Sequence, residues 1–151
     1  MQTPKRLAVL IDAENANASG VAELMAAIEK FGVPIIKRAY GDWTTPQLTP
    51  WKKVLLAQAI KPCQQFRYSK GKNSSDCALI VDAMDIIHAG SVDGLCIVSS
   101  DSDYTGLAAR AKEGGFAVYG FGTSFATQAF RSACDEFVLT DGLKVESEIG
   151  I

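Results

Sequence analysis

The stretch IVSSDSDYTGLAARA (residues 97–111) joins a short apolar run to a helix-like segment through two aspartates. The same order of apolar run, acid and helix occurs near the N-terminus, where RLAVLID (residues 6–12) precedes SGVAELMAAIEKFG (residues 19–32). The second segment has apolar residues at helical spacing and ends at a glycine. Short apolar strands that alternate with helices predict parallel pairing and right-handed crossovers.

The alternation continues along the whole chain. Further strands are predicted at VPIIKRAYG (33–41), CQQFRYS (63–69), GLCIVSS (94–100), FAVYGFG (116–122) and EFVLT (136–140). Further helices are predicted from Thr49-Pro50, in KNSSDCALIVDAMDIIHAG (72–90) with Ser74 or Ser75 as its cap, and in the segments 103–115 and 123–134. The polar composition of CQQFRYS indicates a strand near a sheet edge. The expected fold class is α/β: a three-layer, doubly wound, mostly parallel sheet of five to six strands, over residues 1–140, with 141–151 as a linker or tail.

Composition narrows the class of protein. The chain has 151 residues, 48% hydrophobic and 21% charged, which suits one globular domain. No run approaches the length of a membrane span, and the N-terminus lacks the features of a signal peptide, so a cytoplasmic location is expected. The cysteines show no paired spacing and are interpreted as reduced core thiols: Cys63, Cys77, Cys96 and Cys134.

Carboxylates are expected to meet at one edge of this sheet. Asp12 ends the first strand, and Asp101 and Asp103 follow the fourth, and these strands are neighbours at the switch point of common doubly wound orders. Helical geometry places Asp76 on the stripe that faces the sheet, near the same edge. Asp82 falls at the margin of that stripe.

Four clustered carboxylates repel one another unless a cation is present. Mg²⁺ or Mn²⁺ prefers oxygen ligands, and such an ion can promote the attack of water on a phosphodiester. Each acid also has a simpler interpretation: the aspartates after the fourth strand can cap a helix, Asp76 can favour a helix dipole, and Asp12 can form a turn with Asn15. Their agreement on one edge favours a metal site.

The segments IDAEN, KNSSDCALIVDAMD and SSDSDYTGLAARAKEGG resemble an NYN domain of the LabA-like group, related to PIN-type nucleases, over roughly residues 5 to 140. The resemblance implies a PIN-like fold, a metal-binding acidic site and endoribonuclease activity in some members. Family acidic positions match Asp12, Asp76, Asp101 and Asp103, and further family positions match Asn15, Lys72 and Asp82. Tyr104 stands where many relatives have phenylalanine, a change not expected to affect metal binding. Relatives also suggest homodimers and a C-terminal RNA-binding module.

Positive charge is concentrated between residues 37 and 75, which hold eight basic residues and one acid against a net charge of −2 for the chain. The same segment contains aromatic residues, namely Tyr40, Trp43, Trp51, Phe66 and Tyr68. Cations interleaved with aromatics suit single-stranded RNA, although Trp51 can instead pack in the core. The loop SKGKNSS, with Lys70 and Lys72, is expected to clamp the phosphate, and Ser100 is expected to orient a water or cap the helix.

These observations predict a metal-dependent endoribonuclease acting on single-stranded RNA. A binding module of the same fold with weak or no catalysis is the main alternative. A metal-dependent phosphatase is a third hypothesis. Its nucleophilic aspartate is normally followed two residues later by a second acid, and Asp12-Ala13-Glu14 supplies only a longer glutamate there.

Overall fold

Six parallel strands form one sheet in the order β3-β2-β1-β4-β5-β6 in a computed structural model of the chain. The structure describes residues 3–65, 77–100 and 104–141. Helices cover both faces of the sheet, so the predicted three-layer α/β class is confirmed. The sheet is entirely parallel in the part described, where the sequence predicted a mostly parallel one.

The strands are β1 (Arg6–Asp12), β2 (Val33–Gly41), β3 (Lys61–Gln64), β4 (Gly94–Val98), β5 (Ala117–Gly122) and β6 (Glu136–Leu139). The helices are α1 (Val21–Glu29), α2 (Trp51–Gln58), α3 (Ala78–Ala89), α4 (Thr105–Glu113) and α5 (Gln128–Ala133). Short 3-10 turns precede α1 and α2. None of the helices in the described ranges is both long and apolar enough to cross a membrane.

Strand β1 lies at the centre of the sheet and is buried on both sides. Because successive side chains of a strand point to opposite faces, Leu7, Val9 and Ile11 pack with α1 and α2. Ala8 and Leu10 pack with α3, α4 and α5 on the other face. The continuous apolar run RLAVLI is therefore the signature of a strand covered by helices on both faces.

The starts of three elements differ most from the sequence prediction. Helix α5 begins at Gln128, whereas the prediction began at residue 123. Strand β3 begins at Lys61 and includes Pro62, whereas the prediction began at Cys63. The strand lies at the sheet edge, as predicted, and an edge strand tolerates proline because it need not donate on its outer side. Helix α3 begins at Ala78 with Cys77 at its cap position, later than a Ser74 or Ser75 cap would allow, and both serines lie outside the described residues.

All four cysteines are free, which confirms the prediction of core thiols for three of them. Cys77, Cys96 and Cys134 are buried, and Cys63 on β3 is partly exposed. Burial raises the pKa of Cys96 to about 12 and that of Cys134 to about 11. These two thiols stay protonated at neutral pH and are poor nucleophiles and poor metal ligands.

Candidate functional site

The sheet order puts the carboxyl ends of β1 and β4 side by side at the switch point. Residues Leu7 to Ile11 pair with Gly94 to Val98 in parallel register. Asp12 and Ser99 follow these paired segments, and they are 4% and 1% exposed respectively. They are buried polar residues in an otherwise apolar core, and this is the sheet edge at which open α/β folds bind ligands.

Within the described residues, the Oδ2 atom of Asp12 accepts hydrogen bonds from three side chains. The donors are the Asn15 amide at 2.9 Å, the Ser99 hydroxyl at 2.9 Å and the Tyr104 hydroxyl at 3.3 Å. Three donors on one oxygen suit a carboxylate in its ionised, acceptor-only form. The network therefore fixes the orientation of Asp12 from the β1 turn, the end of β4 and the start of α4.

The hydroxyl of Tyr104 also contacts the Cys77 thiol, with an oxygen-to-sulfur distance of 3.5 Å. Because the hydroxyl donates to Asp12, the thiol is left to donate to the hydroxyl. The hydroxyl of Tyr104 thus makes a contact with Asp12 that the sequence did not predict. Through this contact Tyr104 also links Cys77, the residue before α3, to the candidate site.

The atoms around Asp12 are suited to a hard cation. The three donors named above are neutral, so they orient the carboxylate without neutralising its charge. Carboxylate, amide and hydroxyl oxygens are the ligands that Mg²⁺ and Mn²⁺ prefer. No group of three His, Cys, Asp or Glu side chains that could hold a metal occurs within residues 3–65, 77–100 and 104–141.

Several predicted site residues lie outside the described residues, namely Asp76, Asp101, Asp103, Lys70 and Lys72. Of the others, Asn15 contacts Asp12 directly. Ser100 instead bonds to Thr123. Its hydroxyl accepts from the Thr123 backbone N–H at 3.0 Å and contacts the Thr123 hydroxyl at 2.9 Å. Ser100 therefore joins the loop after β4 to the loop after β5.

Asp82, which lies on α3, has a separate set of partners on β2. Its Oδ2 accepts from the Tyr40 hydroxyl at 2.8 Å and from the Arg38 guanidinium at 3.1 Å. Tyr40 is only 1% exposed, and burial, followed by the hydrogen bond to Asp82, raises the pKa of its hydroxyl. Asp82 thus accepts a hydrogen bond from a buried hydroxyl and pairs with a cation, both on β2. These contacts make it a weaker candidate for a metal ligand than Asp12.

Replacing Asp82 with alanine is expected to lower the free energy of unfolding by about 1–3 kcal/mol, because the Tyr40 hydroxyl loses its acceptor. Chemical denaturation of the purified variant measures this loss. Asp85→Ala on the exposed side of the same helix is the control and should change stability little. Unchanged stability of Asp82→Ala would contradict this structural role.

The predicted stacking of bases on the aromatic residues of segment 37–75 is wrong for two of them. Tyr40 and Trp51 are 1% and 3% exposed and belong to the core. The indole of Trp43 is partly buried and donates to the Cys63 carbonyl at 2.9 Å. The alternation of rings with lysines is typical of a nucleic-acid-binding surface, but in the structure Tyr40 and Trp51 point inward. Phe66 and Tyr68 lie outside the described residues.

An exposed aromatic ring at the functional edge was not predicted. Phe125 follows β5 and is 87% exposed, and it is the one fully exposed aromatic side chain within the described ranges. Its turn is rigidly held, because Arg131 donates to the carbonyls of Ser124 at 3.0 Å and Ala126 at 3.2 Å. The only signal in the sequence was a large aromatic residue in the small, polar turn GTSFATQ.

The family model described as the NYN domain matches residues 6–141, which covers nearly the whole chain. The chain belongs to the NYN domain family. No functionally curated protein has significant similarity to it. Membership of the NYN family confirms the resemblance inferred from the three acidic segments, while the narrower LabA-like assignment stays a prediction.

A solved structure of similar fold comes from Vibrio parahaemolyticus and is described as a protein of unknown function. It is 20% identical to this NYN domain, with a TM-score of 0.72, and the match covers 92% of this chain and 96% of that chain. At this identity the likeness concerns the fold alone. The arrangement of helices on both faces of the sheet is thus shared between distant sequences.

Proposed function

We propose that this NYN domain is a metal-dependent endoribonuclease that hydrolyses phosphodiester bonds of single-stranded RNA. Its metal ligands would be Asp12, Asp76, Asp101 and Asp103. A bound Mg²⁺ or Mn²⁺ would supply Lewis-acid stabilisation of the phosphoryl transition state and a more acidic water. Asp12 would hold its carboxylate in one orientation, through Asn15, Ser99 and Tyr104.

The observation that carries this proposal is the buried Asp12 at the switch point with its three neutral donors. Burying a carboxylate is costly unless hydrogen bonds hold it, and these three donors hold Asp12 in one orientation. Asp12 precedes a 3-10 turn, yet its side chain caps no backbone N–H there. Held in this orientation by hydrogen bonds, the carboxylate would serve as a metal ligand.

RNA would approach along the carboxyl edge of the sheet. Lys70 and Lys72 are proposed to contact its phosphates, and Asn15 and Ser100 are proposed to border the scissile bond. Phe125 would stack on a base, because an exposed ring on a rigid turn loses little entropy on binding. A cytoplasmic location and a homodimer are further parts of the proposal that rest on the sequence.

The decisive experiment is the cleavage of a labelled single-stranded RNA with Mn²⁺, Mg²⁺ or EDTA. Wild-type protein is compared with the Asp12→Asn/Asp101→Asn double variant. Cleavage that needs metal and is lost in the double variant is the expected result. RNA binding that is insensitive to EDTA, without any cleavage, would favour the alternative of an RNA-binding or regulatory module.

Phe125→Ala is expected to weaken the binding of single-stranded RNA about tenfold, since one stacked base contributes roughly 1–3 kcal/mol. The dissociation constant is measured with the Asp12→Asn variant as background, so that cleavage does not interfere. Leu56→Ala is the matched control: Leu56 is 86% exposed, but it lies near the end of α2 that leads into β3, at the opposite edge of the sheet. Equal losses in both variants would contradict stacking on Phe125.

A further inference from the structure

A small apolar cavity lies at the carboxyl edge of the sheet, on the face covered by α1 and α2. Its volume is about 170 Å³. Its walls include Val21 and Leu24 of α1, Trp51 of α2 and Phe121 of β5, all of them buried. Polar groups line it as well, among them Asn15 and Ser99.

The cavity is directly connected to the carboxylate of the candidate site. Asn15 and Ser99, which line it, are two of the three side chains that donate to Asp12 Oδ2. A group inside the cavity would therefore be separated from Asp12 by a single side chain. No motif in the sequence marked this cavity, because its walls come from five separate segments of the chain.

We infer that this cavity binds a nucleobase of the RNA, next to the phosphodiester at Asp12. The inference rests on the proposed ribonuclease function for its choice of ligand. A cavity of about 150 Å³ holds a benzene molecule, so the volume here accommodates a pyrimidine-sized ring but not a whole nucleotide. Trp51 and Phe121 line the cavity with little exposed ring surface, at 3% and 0% exposure, so a base would contact them at the cavity floor rather than stack on them.

The lining also favours a base over a phosphate. Among the described residues, no lysine or arginine lines the cavity, whereas Asp141 does. A phosphate there would lose its hydration without gaining a cation. A base has an apolar face for the walls and polar edges for the amides of Asn15 and Asn17, which also line the cavity.

Trp51 provides a direct reporter of the cavity, because the chain has two tryptophans and Trp43 is not among the lining residues. The Trp43→Phe variant is titrated with cytidine or uridine 5′-monophosphate, and the fluorescence of Trp51 is followed. A saturable change is expected with either nucleotide. Ribose 5-phosphate, which lacks the base, is expected to cause none. The Trp51→Phe variant, which keeps Trp43, should not respond.

The absence of a response to both nucleotides, or an equal response to ribose 5-phosphate, would overturn the inference. RNA cleavage is measured on the same preparations. Cleavage without a nucleotide response overturns the base cavity and leaves the nuclease in place. A response without cleavage supports the cavity as a nucleotide site while the nuclease proposal fails.

A second variant tests the position of the bound base. Val21→Ile adds one methylene at the cavity wall and, if the inference holds, weakens nucleotide binding about tenfold. Its melting temperature is measured alongside, so that overpacking is separated from occlusion. Unchanged affinity in a folded Val21→Ile protein would place the base elsewhere and count against the inference.

Discussion

Replacing Asp12 with asparagine is expected to reduce RNA cleavage by at least about a hundredfold. Removing a side chain that only hydrogen-bonds to a metal ligand lowers metal affinity or activity about 10- to 100-fold. Asp12 is proposed as a ligand itself, so its loss should cost more. The asparagine side chain has the same shape but no charge, because an amide nitrogen replaces one of the two carboxylate oxygens. Single-turnover cleavage with Mn²⁺, together with thermal unfolding, measures the effect.

Asp85→Asn is the matched control for this substitution. Asp85 is exposed on α3, so the same loss of one negative charge should leave cleavage unchanged. The Asp12 variant should also melt close to the wild type, because asparagine can still accept hydrogen bonds from Ser99 and Tyr104. Wild-type cleavage in Asp12→Asn would refute the proposed site.

Gly122→Ala is expected to lower both stability and activity. A Cβ at this position would lie 2.6 Å from the carbonyl oxygen of Ser99, closer than van der Waals contact permits. Since the contact is with the backbone, Ser99 must move, and its hydroxyl donates to Asp12. Overpacking of this kind costs about 1–3 kcal/mol, and a displacement of about 1 Å in an active site can cost a hundredfold in rate.

Gly106→Ala provides the opposite expectation for the same chemical change. Gly106 is exposed in α4, and a Cβ there meets no atom within 4 Å. Alanine in a helix should therefore raise stability by about 0.5–1 kcal/mol. Denaturation midpoints and cleavage rates of the two variants are compared. If Gly122→Ala is as stable and active as Gly106→Ala, the close approach to Ser99 has no functional importance.

The sequence predicted the fold well because the strands carry strong local signals. The apolar run of β1 and the helical spacing of α1 each follow from burial and backbone geometry. The general rule for doubly wound sheets then placed β1 beside β4, as observed. The position of Asp12 at the switch point was therefore predictable.

Side-chain partners across the sheet were not predictable in the same way. Tyr40 and Asp82 are 42 positions apart, and only the pairing of the elements brings them together. The pattern of lysines and aromatics in segment 37–75 was equally compatible with rings that face inward, which the core required. Phe125 was missed because one exposed ring in a turn produces no periodicity.

The sheet order also has a consequence for how the protein is made. Strands β1 to β3 come from the first half of the chain and β4 to β6 from the second, and the two halves of the sheet are joined through the pairing of β1 with β4. Asp12 and Asn15 are synthesised early, whereas Ser99 and Tyr104 leave the ribosome about ninety residues later. A nascent chain therefore carries an acid without two of the donors that orient it. Until the second half has docked, the hydrogen-bond network around Asp12 is incomplete.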